Sequence, residues 1–166
     1  MSAALKEKLL GFSFHELIAL GIFLGICFAV AGIGSWFTTP QIEGWYASLR
    51  KPGWTPPNWV FGPVWSALYT SMAVAAWLVW RRHGWGWELA LFGVQLALNM
   101  AWSAIFFGLR NPGAALVEIF ALWVMILATM LSFWRISSTA GWLMVPYLGW
   151  VSFAAVLNFV IWRMNQ

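Results

Sequence analysis

Five apolar segments, at about 17–37, 58–80, 89–108, 113–134 and 140–162, constrain this chain more than any other feature. An α-helix needs about twenty apolar residues to cross the hydrocarbon core of a bilayer. Of all the Lys, Arg, Asp and Glu residues, only Glu118 falls inside one of these segments. A backbone in lipid must satisfy its own N–H and C=O groups, so such segments are expected to span as helices. Five spans leave little of the 166-residue chain for anything else. The expected fold class is therefore all-α: one polytopic membrane domain over 1–166, a bundle of five transmembrane helices in a lipid bilayer.

Charge sits at the segment ends. Lys6 and Lys8 precede an apolar run reaching Ala29-Val30-Ala31, a pattern resembling a secretory leader. Glu7 and Glu16 interrupt the basic stretch and the run continues to Phe37, so the first segment reads as a retained span. Lys6, Lys8, Arg81, Arg82 and Arg135 fall on one side, and Arg50, Lys51, Arg110 and Arg163 on the other. That balance gives no orientation under the positive-inside rule. The net charge of +4 suits lipid headgroups, and no basic run is long enough to suggest a nucleic-acid partner.

Fifteen tryptophans stand in a sequence that is 62% hydrophobic and 8% charged. An indole has an apolar body and an N–H that wants a partner, which suits a membrane surface. Trp77, Trp80, Trp85 and Trp87 cluster around Arg81-Arg82-His83-Gly84 and are expected in an interfacial belt, with Trp134, Trp142 and Trp162 near other span ends. Rings away from the ends are candidates for a pocket wall; Trp36, Trp59 and Trp123 fit neither group.

The first connection, 38–57, is long and holds Pro40, Pro52, Pro56, Pro57, Trp45, Tyr46 and Trp54. Loops of this length are uncommon unless functional or disordered, and disordered linkers are poor in aromatics. It is expected to fold as a lid over the bundle mouth, with Pro40 just beyond the first span. Asn111-Pro112 reads as an N-cap with proline at the first helical position. Ser137-Ser138-Thr139 reads as the start of the fifth helix.

The third span separates into two faces at helical spacing. Ala90, Gly93, Ala97, Ala101, Ala104 and Gly108 form a small-residue stripe, suited to close helix packing inside the bundle or to a homodimer seam. Gln95, Asn99, Trp102 and Phe106 form the opposite face, expected to point inward because amides are costly in lipid. On the fifth span Trp150, Ala154, Leu157 and Asn158 share a face beyond Pro146. On the second, Phe61, Trp65 and Tyr69 recur every four residues. Aromatic walls with a few polar groups suit a small-molecule pocket, and equally suit ordinary core packing.

Conventional catalytic chemistry is absent from the pattern. His15 and His83 are far apart with no cysteine or acidic cluster, so no metal site is expected. No Ser-His-acid or Cys-His set, hence no catalytic residue, can be assembled, and no obligatory cofactor is implied. Cys27 has no second cysteine to pair with and reads as a small core residue. Glu118, about two turns inside the fourth span, is either a functional group or a structural acid.

Three stretches carry a resemblance. WYASLRKPGWTPPNWVFGPVW at 45–65, QLALNMAWSAIFFG at 95–108 and VPYLGWVSFAAVLNFVIWRMN at 145–165 are similar to the translocator protein family, also called tryptophan-rich sensory proteins (TspO/MBR). The resemblance covers nearly all of the chain from Trp36. It implies a five-helix membrane protein, often dimeric, that binds porphyrins and in many members sterols or synthetic aromatic ligands. It further implies that Trp65 and Trp150 flank a bound tetrapyrrole and that Gln95 and Asn99 make its polar contacts. Trp45, Trp54, Phe61, Tyr69, Trp102, Phe106, Tyr147, Ala154 and Leu157 would complete the wall.

The tail departs from the sterol pattern of Leu or Val, then Tyr, then Lys or Arg. Val156, Leu157 and Arg163 are present, but Phe159 stands where the tyrosine is required. Cholesterol is therefore expected to bind weakly and the membrane to be bacterial or otherwise sterol-poor. The expected function is a receptor- or transporter-like protein that senses, sequesters or moves porphyrin. The alternatives are light- and oxygen-dependent porphyrin degradation through Trp65 and Trp150, transport of another apolar solute with Glu118 as coupling group, and structural pairing through helix faces.

Overall fold

The computed structural model describes residues 13–166; Lys6, Lys8 and the leader-like start lie outside the described residues. The first helix, α1 (Phe14–Ile42), begins at a reciprocal cap. The Glu16 amide donates to Ser13 Oγ at 3.3 Å while Glu16 Oε2 accepts from the Ser13 amide at 2.7 Å, satisfying two otherwise orphaned donors. A short helix, α2 (Trp45–Ser48), follows, then α3 (Asn58–His83) and α4 (Trp87–Ser103). A π-helical turn, Ala104–Gly108, prolongs α4 without a break. The last two helices are α5 (Pro112–Ile136) and α6 (Ser138–Met164).

Five of these, α1, α3, α4 with its π turn, α5 and α6, are long and apolar enough to cross a membrane. The expected all-α class and five spans are observed. Each helix outruns its apolar segment by a few residues, because charged and capping residues extend it past the hydrocarbon. Pro40 is a correction: it lies inside α1, whose last turn takes up the start of the expected loop. The caps at Asn111 and Ser137 form as their residue types require. The Ala114 amide donates to Asn111 Oδ1 at 3.0 Å and the Ala140 amide to Ser137 Oγ at 3.3 Å.

Helix contacts close a ring in the order α1, α3, α6, α5, α4 and back to α1. Small residues let the backbones approach: Ala73, Ala75, Ala76, Ala115 and Ala140 are fully buried at helix crossings. Cys27 is buried among them as a packing residue. At the end where α1 begins, the Arg81 Nε–Glu16 Oε1 pair at 2.6 Å and a bond from Trp77 Nε1 to the Glu16 carbonyl at 2.8 Å fasten α3 to α1. Trp77 is therefore not a belt residue. It is 5% exposed, with the Arg81 guanidinium 4.8 Å above its ring. Trp85, Trp87 and Trp142 are the exposed indoles at this end among the described residues.

Candidate ligand site

The opposite end of the ring holds a cavity of about 610 Å³. That lies within the range of pockets that enclose drug-sized ligands. Its wall comes from α1, α3, α4 with the π turn, α5 and α6, and its roof from α2. Nine of the residues named from sequence border it: Phe61, Trp65, Tyr69, Asn99, Trp102, Phe106, Trp150, Ala154 and Leu157. Repeats of four on α3 and of three or four on α6 bring side chains to one face, so the faces read from spacing meet across one space.

The other four lie elsewhere. Gln95 is fully buried behind the wall, with Nε2 3.8 Å from Met72 Sδ and Oε1 without a partner among the described residues. Tyr147 is also fully buried, its ring edge-on to Trp65 at 6.2 Å. Trp45 packs edge-on against Phe106 at 5.6 Å, and Trp54, 49% exposed, against Phe153 at 5.8 Å. These two support the roof from outside. Tyr46, which the spacing did not single out for the wall, borders the cavity in their place.

A buried polar chain crosses the floor. The Tyr69 hydroxyl donates to Asn99 Oδ1, and Asn99 Nδ2 donates to the Tyr147 hydroxyl at 2.9 Å. Asn99 thus has two protein partners and is held in one orientation. Asn158 does similar work higher up: Oδ1 accepts from Trp102 Nε1 at 3.1 Å, and Nδ2 donates to the Pro112 carbonyl at 2.8 Å. Trp102, so oriented, stacks on Phe106 with ring centres 5.0 Å apart. Trp65 and Trp150 differ. Both border the cavity, and neither indole N–H has a partner among the described residues.

The connection over the cavity is seated by three devices. Tyr46 is 7% exposed and packs against Phe107 at 5.6 Å. Its burial raises the phenol above its ordinary value of 10. Lys51 Nζ gathers the carbonyls of Tyr46 at 2.6 Å, Leu49 at 3.1 Å and Ala47 at 3.3 Å, and lies 4.7 Å over the Tyr46 ring. Asn165, near the end of α6, pairs with Arg50 like a short strand. Its Oδ1 accepts from the Arg50 amide and its Nδ2 donates to the Arg50 carbonyl, both at 2.9 Å.

The sequence missed α1 as a wall. Phe28, Ala31, Gly34, Ser35 and Thr38 border the cavity, but Phe28 is a single aromatic and the rest are neither aromatic nor amides, so no repeat of large or amide side chains marks this face. The small-residue run Gly32-Ile33-Gly34-Ser35 was the available signal.

Glu118 does not border the cavity; both carboxylate oxygens are buried with no hydrogen-bond partner among the described residues. No cluster of three or more metal-ligating side chains occurs among the described residues.

The seam residues divide. Gly93 and Ala97 are exposed on the outer face of α4, and Ala101 and Ala104 are half-buried. The wider π turn rotates Gly108 off the stripe, toward α1, where an added Cβ would meet the Phe37 ring at 3.0 Å. In the tail, Val156, Phe159 and Arg163 face outward while Leu157 points to the cavity. One helix face cannot carry all four.

The TspO/MBR family matches residues 23–163, which take in the roof, four of the spans nearly whole and the first span from Phe23 onward. The chain belongs to the TspO/MBR family. It is 44% identical over 154 residues to a tryptophan-rich protein TspO of Chlorobaculum tepidum, covering 90% of this chain and 98% of that one. It is 43% identical over 139 residues to the translocator protein of Homo sapiens, covering 81% and 82%. It is 40% identical over 143 residues to a tryptophan-rich sensory protein of Cereibacter sphaeroides, covering 86% and 89%. This TspO/MBR chain is thus an integral, multi-pass membrane protein related to proteins named as translocators and sensors.

Proposed function

We propose that the cavity binds a flat tetrapyrrole such as protoporphyrin IX, and that the protein senses, sequesters or moves it. The observation that carries this reading is the pair Trp65 and Trp150, two indoles bordering one 610 Å³ cavity with their N–H donors unengaged. Indole faces offer broad apolar contact to a macrocycle, and the free N–H groups can meet its polar edge. Asn99 supplies one more polar group at the floor, fixed by its two tyrosine partners. Membership of the family and the names of its relatives support a ligand-handling role.

The test is titration of the purified protein with protoporphyrin IX, in darkness and then in light. Saturable quenching of Trp fluorescence is expected, weakened at least about tenfold in Trp65→Ala or Trp150→Ala. Absence of saturation in the wild type refutes the reading. A second reading, oxidative degradation of the porphyrin by the same two tryptophans, is favoured by their position on one wall. It requires a new porphyrin product formed only in light and oxygen, and lost in either variant.

A homodimer across the outer face of α4 belongs to the same proposal, because Gly93 and Ala97 leave that face open to a second helix. Ala97→Phe should then shift the oligomer to monomer on size-exclusion chromatography with light scattering. The outward, tyrosine-free tail face supports a sterol-poor membrane and weak cholesterol binding.

A further inference from the structure

We propose that the cavity opens sideways into the bilayer through a slot between α1 and α3, so that its ligand arrives from the membrane and not past the roof. This rests on the reading of the cavity as a ligand site and adds its route of access.

The slot is marked by residues that border the cavity and are themselves exposed. On α1 these are Phe28, Gly32, Ser35 and Thr39; on α3 they are Asn58, Gly62 and Ser66. Spacings of three or four keep each set on one helix edge. On α1 the set runs from Phe28 to Thr39, roughly 16 Å at the helical rise, so this rim runs along the helices and not around the mouth. The mouth itself is roofed by the buried Tyr46, held by its packing on Phe107, by Lys51 and by the Asn165–Arg50 pair. At the far end α1 and α3 are joined by the Glu16–Arg81 pair and the Trp77 bond. The two helices are thus fastened to each other at the end away from this rim.

Three further observations fit a passage through lipid. Gly32 and Gly62 leave space: a Cβ added to either meets nothing within 4 Å. Two hydroxyls at or beside these edges are satisfied by their own helices, with Ser66 Oγ donating to the Gly62 carbonyl at 3.0 Å and Thr38 Oγ1 to that of Gly34 at 2.9 Å. Finally, Trp36 and Trp59, next in sequence to the rim residues Ser35 and Asn58, are 80% and 74% exposed. They present indole surface on the lipid side of the slot, and a shallow outer groove of α1 containing Trp36 meets the cavity rim at Gly32. The chemical class admitted is a flat, largely apolar molecule dissolved in the membrane.

The experiment uses the full chain in phospholipid nanodiscs, with protoporphyrin IX as probe and stopped-flow quenching of Trp fluorescence as readout. Gly62→Phe and Gly32→Phe place a ring in the slot. Each should slow association and dissociation together by about tenfold, so that Kd moves much less than either rate. Ser66→Leu, which obstructs the slot without touching a glycine, should act in the same direction. Val117→Phe, on the lipid-exposed face of α5, should leave both rates as in the wild type. Saturable binding with unchanged rates in all three slot variants overturns the slot. So does a rise in dissociation alone, which would mark these residues as plain contacts. No saturable binding to the wild type overturns the reading of the cavity and the slot with it.

Discussion

Replacing Asn165 by Ala tests how the roof is held. The Asn165 side chain makes two bonds to the Arg50 backbone and a third to the Ile161 carbonyl at 2.7 Å. Only the first two tie the roof to the bundle. Each is exposed to water, so each contributes about 0.5–1 kcal/mol net, and the pair about 1–2 kcal/mol. At 1.4 kcal/mol per tenfold, the segment 45–51 should open roughly 5- to 30-fold more often in the variant. Hydrogen exchange by mass spectrometry reads this directly, with peptides from α5 as internal reference. Exchange in 45–51 should accelerate while α5 is unchanged, because Tyr46 and the helices keep their packing. Asn165→Asp retains the acceptor for the Arg50 amide and loses both donors, so its effect should fall between. Equal acceleration in α5 would show that Asn165 supports the whole bundle; no acceleration in 45–51 would show that the Arg50 pairing holds nothing.

Glu118→Leu should raise the thermal midpoint in detergent, since it removes a buried carboxyl with no partner and relieves a cost on the order of 1–3 kcal/mol; a fall would reveal an interaction that the carboxyl makes. Gly141→Ala should destabilise by about 1–3 kcal/mol because its Cβ would lie 2.7 Å from the Trp134 ring, whereas Gly21→Ala, with nothing within 4 Å, should be neutral or stabilising in the same melt. Tyr46→Phe tests alkaline release of the roof. Burial raises the docked phenol above 10, so the undocked form ionises first; docking is intact below pH 10 and weakens as pH climbs through the raised value. The extra exchange of 45–51 above pH 10 should therefore be smaller in Tyr46→Phe than in the wild type. Tyr69→Phe should cost about 1–3 kcal/mol by leaving the buried Asn99 Oδ1 without its donor, measured as a lower midpoint with the fold retained by circular dichroism.

The spans were legible because hydropathy and length decide them, and the caps at Asn111 and Ser137 because the chemistry is local to three residues. The inward faces of α3, α4 and α6 were legible because amides are costly toward lipid and the aromatic side chains recur at helical spacing. Three things were hidden. Pro40 is tolerated inside α1, which only the neighbouring backbone could reveal. Trp77 looked like a surface ring until Glu16, far away in sequence, supplied its acceptor. The contribution of α1 to the cavity was hidden because small residues make a wall by what they leave open, and no periodicity of large side chains records that. Gln95 and Tyr147 show the complementary error: a residue can face inward and still stand behind the cavity surface.

The π turn at Ala104–Gly108 also sets how this chain tolerates changes in length. In α3 or α6, deleting one interior residue turns every side chain beyond it by about 100°, carrying wall residues toward lipid. The π turn already holds one residue more than a regular helix needs. A deletion there can be absorbed by relaxing to ordinary helical bonding, while Gln95, Asn99 and Trp102 upstream keep their directions. Within the third span, that turn is where chain length and the orientation of the cavity wall are uncoupled.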